Sequence, residues 1–408
     1  MKVADIPTPA LLVDVAALER NIATMARFFS EGTCRLRPHF KAHKTPEIAR
    51  RQLAAGSCVG LTCATVSEAE VAVAFCDDIL IANEIIGPDK CARVSALAWG
   101  TGLSSGAGLH GPRNITIAID SEEGLKQIAA AIADRKGPRR IEQGSGPIEQ
   151  GSGRIEQGSG RIEQATSDMR RGPLRPAIGI LVDINVGQGR CGVAPGAAAL
   201  ALAQRVAATN GVRLRGVMGY EGHLQPIADR AERERKASAA MTELVATARL
   251  LQASGLPCDV VSGGGTGTFD ISGRVPGMTE IQAGSYVLMD TDYARLKLPF
   301  EHALSVLGTV VSKPGAEYCV ADCGHKSTTK DHGLPSVKGM PGASVTLLND
   351  EHAGIALPPG SPVKIGDRIE LWPSHTDPTV NLHDVFYAIE DGRVVGVWPI
   401  AARGYKGS

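Results

Sequence analysis

The sequence predicts an α/β protein: a (β/α)8 TIM-like barrel followed by a C-terminal antiparallel β domain. Two observations carry this. From about residue 10 to 290, short apolar runs alternate with longer stretches of helical periodicity, the pattern of a parallel sheet wrapped by helices. Roughly eight such units point to a closed ring rather than an open sheet. Beyond about residue 300 helical periodicity fades, and the apolar runs are separated by Gly and Pro, the texture of antiparallel strands.

Residues 10–14 are strand-like, and residues 15–29 carry apolar side chains at helical spacing. Residues 58–63 read as a strand, and Ser67 before Glu68 and Glu70 reads as the cap of the next helix. Residues 78–82, 115–120, 177–183, 214–219 and 260–263 read as further buried strands. In the last quarter, residues 304–312, 318–322, 344–348, 367–372 and 385–389 are strand-like, and Asp391-Gly392 signals a hairpin. A boundary near 295 gives a barrel over 1–295 and a β domain over 296–408, which the N-terminal residues are candidates to join. Residues 141–164 repeat Ile-Glu-Gln-Gly-Ser-Gly-X. One apolar residue and two glycines per seven cannot form a coiled-coil seam, so this reads as a flexible insertion without a catalytic role.

The 408 residues are 43% apolar and 21% charged, with zero formal net charge. That balance argues against nucleic acid or an anionic membrane as partner. No apolar run approaches the roughly 20 residues that span a bilayer, and the N-terminus lacks a signal-peptide core. Nine cysteines without CxxC pairs read as reduced thiols in a cytoplasmic protein.

Three segments carry chemistry. In Arg37-Pro38-His39-Phe40-Lys41-Ala42-His43-Lys44, a lysine after a short apolar segment is hemmed by cationic and aromatic side chains. Neighbouring positive charge and burial are expected to depress its ammonium, as a Schiff-base lysine needs; a basic surface loop is the other reading. In Ser262-Gly263-Gly264-Gly265-Thr266-Gly267-Thr268, stacked glycines after a strand suit backbone capture of a phosphate, or form a plain Gly-rich turn. In Pro373-Ser374-His375-Thr376-Asp377-Pro378-Thr379, His and Asp two apart on an extended segment point the same way. They suit a divalent ion, or are an ordinary surface pair.

In this order the three segments resemble the D-threonine aldolase and D-serine dehydratase group, pyridoxal-phosphate enzymes related in fold to alanine racemase. Residues 64–70, 187–193 and 282–286 also look like segments of that group. The resemblance implies that Lys41 carries the cofactor aldehyde, with His39 and Arg37 shaping its pocket. Gly264, Gly265 and Thr266 would bind the phosphate. Arg190 would lie near the cofactor ring or its phenolic oxygen. Tyr220 and His223 would contact the ring and handle a proton, and Tyr286 and Asp331 would stand at the rim. His375 and Asp377 would hold a divalent ion. The dehydratase branch tends to carry Cys at the second ligand position, so Asp377 looks like the aldolase branch and a harder ion. Mn²⁺ is expected first, with Mg²⁺, Co²⁺ or Zn²⁺ as alternatives. The implied reaction is retro-aldol cleavage of D-threonine-type 3-hydroxy-amino acids to glycine and an aldehyde. The alternatives are dehydration of D-serine or D-3-hydroxyaspartate, and aldol cleavage of D-3-hydroxyaspartate. A homodimer is implied as well.

Overall fold

The computed structural model describes residues 1–100, 113–134 and 177–404; the heptapeptide repeat at 141–164 lies outside them. Two sheets organise the chain. Strand β1 (Ala10–Asp14) comes first. The parallel sheet then takes β2 (Arg35–Leu36), β3 (Leu61–Cys63), β4 (Asp78–Glu84), β5 (Asn114–Ile119), β6 (Ile178–Asp183), β7 (Val212–Gly219), β8 (Val260–Gly263) and β9 (Glu280–Ile281). Its order is β2-β9-β8-β7-β6-β5-β4-β3. Parallel bridges Leu36↔Cys58 and His39↔Thr62 join the outer strands and close the ring. β6 is buried at every position, as expected of a strand covered on both faces.

The second sheet uses β10 (Leu304–Gly315), β11 (Tyr318–Ala321), β12 (Ser336–Val337), β13 (Ser344–Leu348), β14 (Ala353–Ala356), β15 (Arg368–Trp372), β16 (Val385–Glu390) and β17 (Arg393–Pro399). β1 does not belong to the barrel. It lies between β10, antiparallel, and β16, parallel. Ala10 and Leu12 face one apolar cluster while Leu11 and Val13 face the main core, so the run carries no periodicity that says which sheet it joins. Asp391 and Gly392 both have positive φ and turn β16 into β17, as the Asp-Gly pair predicts.

Local sequence explains the helices. Helix Val15–Ser30 starts where Asp14 accepts the Ala17 N–H. The Val66–Ala72 helix is capped by Thr65, whose Oγ1 accepts the Glu68 N–H at 3.2 Å. Ser67, expected as the cap, is the second residue of the helix. Glu68 is buried, taking Lys44 Nζ at 2.7 Å and the Ala64 N–H at 2.7 Å.

One buried hydrogen-bond chain anchors the segment after β2. His43, fully buried, stacks edge-on against Phe40 and accepts the Thr45 N–H at Nδ1. Its Nε2 therefore donates to Gln52 Oε1 at 3.0 Å, and Gln52 Nε2 donates to the Tyr286 hydroxyl at 2.9 Å. Burial pushes the imidazole down to about 4, with the Gln52 bond opposing. A second ring proton would confront the Thr45 N–H. The unfolded chain takes that proton near 6.5, so stability is full above that pH and is lost as pH falls from about 6.5 to about 4. Urea unfolding should show a loss approaching about 3 kcal/mol across this window; a slope unchanged in His43→Gln would rule out His43 as its source.

Candidate active site

The ends of the barrel strands converge on one cavity of about 290 Å³, lined by Lys41, Ala64, Glu84, Arg190, Tyr220 and Gly264 among others. Each follows or ends a strand, the rim where loops of such barrels gather chemistry. Lys41 sits in the turn Phe40–Ala42 directly after β2. A second cavity, about 510 Å³, shares Lys41, Tyr220, Ser285 and Tyr293 with the first and is completed by His375 and Asp377. The lysine of the barrel and the His–Asp pair of the second domain thus face one space.

His375 and Asp377 meet this space through a helix, not an extended segment. Thr376–Asn381 is a short α-helix with His375 at its N-cap, and Asp377 lies in its first turn. Pro378 is tolerated there because first-turn amides have no intrahelical partner. Asp377 Oδ2 pairs with Lys41 Nζ at 3.2 Å. Burial alone would raise the Asp377 carboxyl, but Lys41 and then His375 outweigh it and hold it below the ordinary range. The same pairing raises the Lys41 ammonium against the effect of burial. The depressed ammonium expected from the surrounding positive residues is therefore not found; one carboxylate at contact outweighs them.

The residues fit a divalent ion. Asp377 Oδ1 is buried and has no hydrogen-bond partner among the described residues, and an orphaned carboxylate oxygen of this kind suits a cation. His375 Nδ1 pairs with Asp331 Oδ2 at 2.7 Å, which leaves the other ring nitrogen for the cavity. Asp331, His332 and His375 bring ligand atoms within 4.8 Å of one another.

They also fit a phosphorylated cofactor. Gly264 has φ +74°, and a Cβ on Gly265 would stand 2.9 Å from the Gln225 side chain. Glycine follows this course without backbone strain or crowding. The loop is held from behind by Glu221, fully buried, which accepts the Gly264 N–H, the Thr268 hydroxyl and the Ser272 hydroxyl at 3.1, 2.6 and 2.8 Å. Gln225 accepts the Gly267 N–H at 2.7 Å. Arg190 lies over the Tyr220 ring, 5.8 Å from its centroid. Nearby Asp183 is pushed up to about 8 by burial and then by Glu84, with Arg190 opposing. His39 lines the same cavity and is held neutral by burial and by Lys41.

Several expected residues are elsewhere. Arg37 does not shape the pocket. It turns back inside the barrel to Glu280 (2.9 Å) and Asp78 (2.6 Å), the first residues of β9 and β4, at the opposite end. The Tyr286 side chain is fully buried on Gln52 and does not line either cavity; its backbone N–H donates to Thr266 Oγ1 at 3.0 Å, bracing the loop. His223 is exposed on the turn Gly222–Leu224, with its ring over Gly187, and lines neither cavity. Asp331 lines neither cavity and is tied to the site by its bond to His375. Conversely Ser285, Tyr293, Asp292 and His332 line the cavities without having been singled out. Ser285 stands within residues 282–286, beside Tyr286; the others carry no local sequence signal.

Comparison with known proteins adds ancestry. The family "Alanine racemase, N-terminal domain" matches residues 13–142 and 156–292, and the family "Putative serine dehydratase domain" matches residues 303–389. D-threonine aldolase of an Arthrobacter species is 37% identical, over 99% of this chain and 94% of its own length. 3-Hydroxy-D-aspartate aldolase of Paracoccus denitrificans is 31% identical, with the same coverage. The crystal structure of D-threonine aldolase from Filomicrobium marinum superposes with a TM-score of 0.82 at 34% identity, over 99% of this chain and 97% of that one.

Arg37→Met should destabilise the fold by about 3–5 kcal/mol, because Glu280 is left charged and buried. Urea unfolding measures this. Cofactor affinity should stay within about twofold of the parent, since Arg37 lies at the far end of the barrel.

Proposed function

The chain belongs to the D-threonine aldolase family within the alanine racemase-like pyridoxal-phosphate enzymes and is a lyase; from this we propose that it cleaves D-3-hydroxy-amino acids of the D-threonine type to glycine and an aldehyde, with a divalent ion. The observation that carries the reading is the meeting of Lys41 with His375 and Asp377 across one cavity. Lys41 would hold pyridoxal phosphate, with Gly264, Gly265 and Thr266 at its phosphate and Arg190, His39 and Tyr220 around its ring. Bound there, the cofactor supplies an electron sink for the Cα–Cβ bond, and an ion on His375 and Asp377 supplies a Lewis acid.

The chain's own residues then position and protonate. His375 and Asp377 orient the 3-hydroxyl. Asp331 fixes the imidazole. Burial raises the Tyr220 phenol and, more strongly, that of Tyr293, so both stay protonated donors on the wall. Lys41 would stand beside the cofactor and, as a free amine, would be the group to deliver the proton that completes glycine. The exposed position of His223 favours a proton route that does not use it.

Asp377 in place of the softer Cys supports a hard ion, Mn²⁺ first. A cytoplasmic homodimer belongs to the same reading. Its support is the family resemblance and nine free cysteines; no helix among the described residues is long and apolar enough to cross a membrane.

Product analysis tests the reaction. Cofactor-loaded protein with D-threonine should give glycine and acetaldehyde with Mn²⁺ and neither after EDTA. Ammonia and 2-oxobutanoate would establish dehydration instead. Lys41→Ala should lose the Schiff-base absorbance of the cofactor; its persistence would refute the assignment of Lys41.

A further inference from the structure

We propose that Asp292 sets the charge selectivity of this site, so that the enzyme takes D-3-hydroxy-amino acids with an uncharged group beyond Cβ and discriminates against a second substrate carboxylate. This rests on the aldolase reading for the placement of the substrate. With the amine at Lys41 and the 3-hydroxyl at His375 and Asp377, the group beyond Cβ faces the rest of the larger cavity, walled by Pro226, Asp292, Arg295, Leu296 and His332. About 510 Å³ accommodates a methyl, a phenyl or a carboxylate, so volume does not choose among them.

Charge does. Arg295 is the guanidinium on this wall and the natural partner for an incoming carboxylate. It is already engaged: its Nη2 pairs with Asp292 Oδ1, and its Nε donates to the Asp292 carbonyl at 3.3 Å. The other oxygen of the same carboxylate takes His332 Nδ1 at 3.1 Å. One side chain, 17% exposed, thus occupies both donors. Among the described residues, the two basic side chains on this wall therefore share one acidic partner. A substrate carboxylate would have to displace Asp292 or lie beside it, and like charges at contact are a standard means of rejecting a competitor.

The test uses holoenzyme carrying pyridoxal phosphate and Mn²⁺. It compares kcat/KM for D-threonine and D-3-hydroxyaspartate in the parent, Asp292→Asn and Arg295→Gln. In parallel, with the metal removed, the dissociation constant of each amino acid is read from the change in cofactor absorbance. The parent should favour D-threonine by about tenfold or more. Asp292→Asn, which frees Arg295 and His332, should move both ratios toward D-3-hydroxyaspartate by about tenfold. Arg295→Gln leaves the Asp292 carboxylate without its guanidinium and should move them the other way. Arg295 is 61% exposed, so this second variant decides the matter if the first does not fold. A parent that prefers D-3-hydroxyaspartate, ratios unmoved in the variants, or equal loss of both substrates in Asp292→Asn would overturn the proposal. If ammonia and 2-oxo acids appear in place of glycine, the aldolase reading fails, while the binding ratio still decides the charge selectivity.

Discussion

The site depends on one buried carboxylate. Asp290 is fully buried where the chain leaves the barrel. One of its oxygens accepts the Tyr293 N–H at 2.9 Å and the other the Thr376 N–H at 3.0 Å. Thr376 returns a bond from its hydroxyl to the Met289 carbonyl, and the Thr291 N–H reaches the Pro373 carbonyl. Thr376 stands between His375 and Asp377, so this lattice fixes where the second sheet's segment presents these two side chains to the cavity. Burial raises the Asp290 carboxyl and the two amides oppose it. Neither domain could hold Lys41 and Asp377 at contact alone. The geometry comes from amide donors on both sides sharing one acceptor.

The glycine loop is organised on the same principle, around a second buried acceptor. A buried glutamate under an anion-binding loop would repel its ligand if left bare. Glu221 instead accepts three donors from residues 264–272, spending its charge on the loop's shape. Tyr220 and Glu221 follow β7 directly, and the first lines the cavity while the second lies beneath the loop. A single strand end thus supplies both a wall of the pocket and the support of its floor.

The fold was legible where burial leaves a continuous apolar run. Residues 78–82, 177–183 and 260–263 all mark strands of the barrel, and the change of texture after 300 marks the second sheet. Two-residue strands Arg35–Leu36 and Glu280–Ile281 carry too little pattern to be seen, and β1 could not be assigned to a sheet because both its faces are apolar. In the site, contiguous chemistry was legible: Lys41, Gly264 to Thr266, and His375 with Asp377 all line the two cavities. Proximity in sequence misled at Arg37, which alternation turns into the barrel, and at Tyr286 and His223, whose neighbours Ser285 and Tyr220 face the cavities in their place. Tyr293, Asp292 and His332 become site residues only through the tertiary arrangement.

The place of β1 has a consequence for how the chain is made. Its two neighbours, β10 and β16, begin at Leu304 and Val385. During synthesis this apolar segment finds no strand to pair with until β10 has followed, and its second neighbour, β16, comes later still. The barrel can form in the interval, since its strands are drawn from residues 35–281. The second sheet cannot, because β1 has to wait for β10 and β16. That sheet therefore forms by a long-range closure, and residues 10–14 are the segment that a growing chain must keep from pairing with others in the meantime.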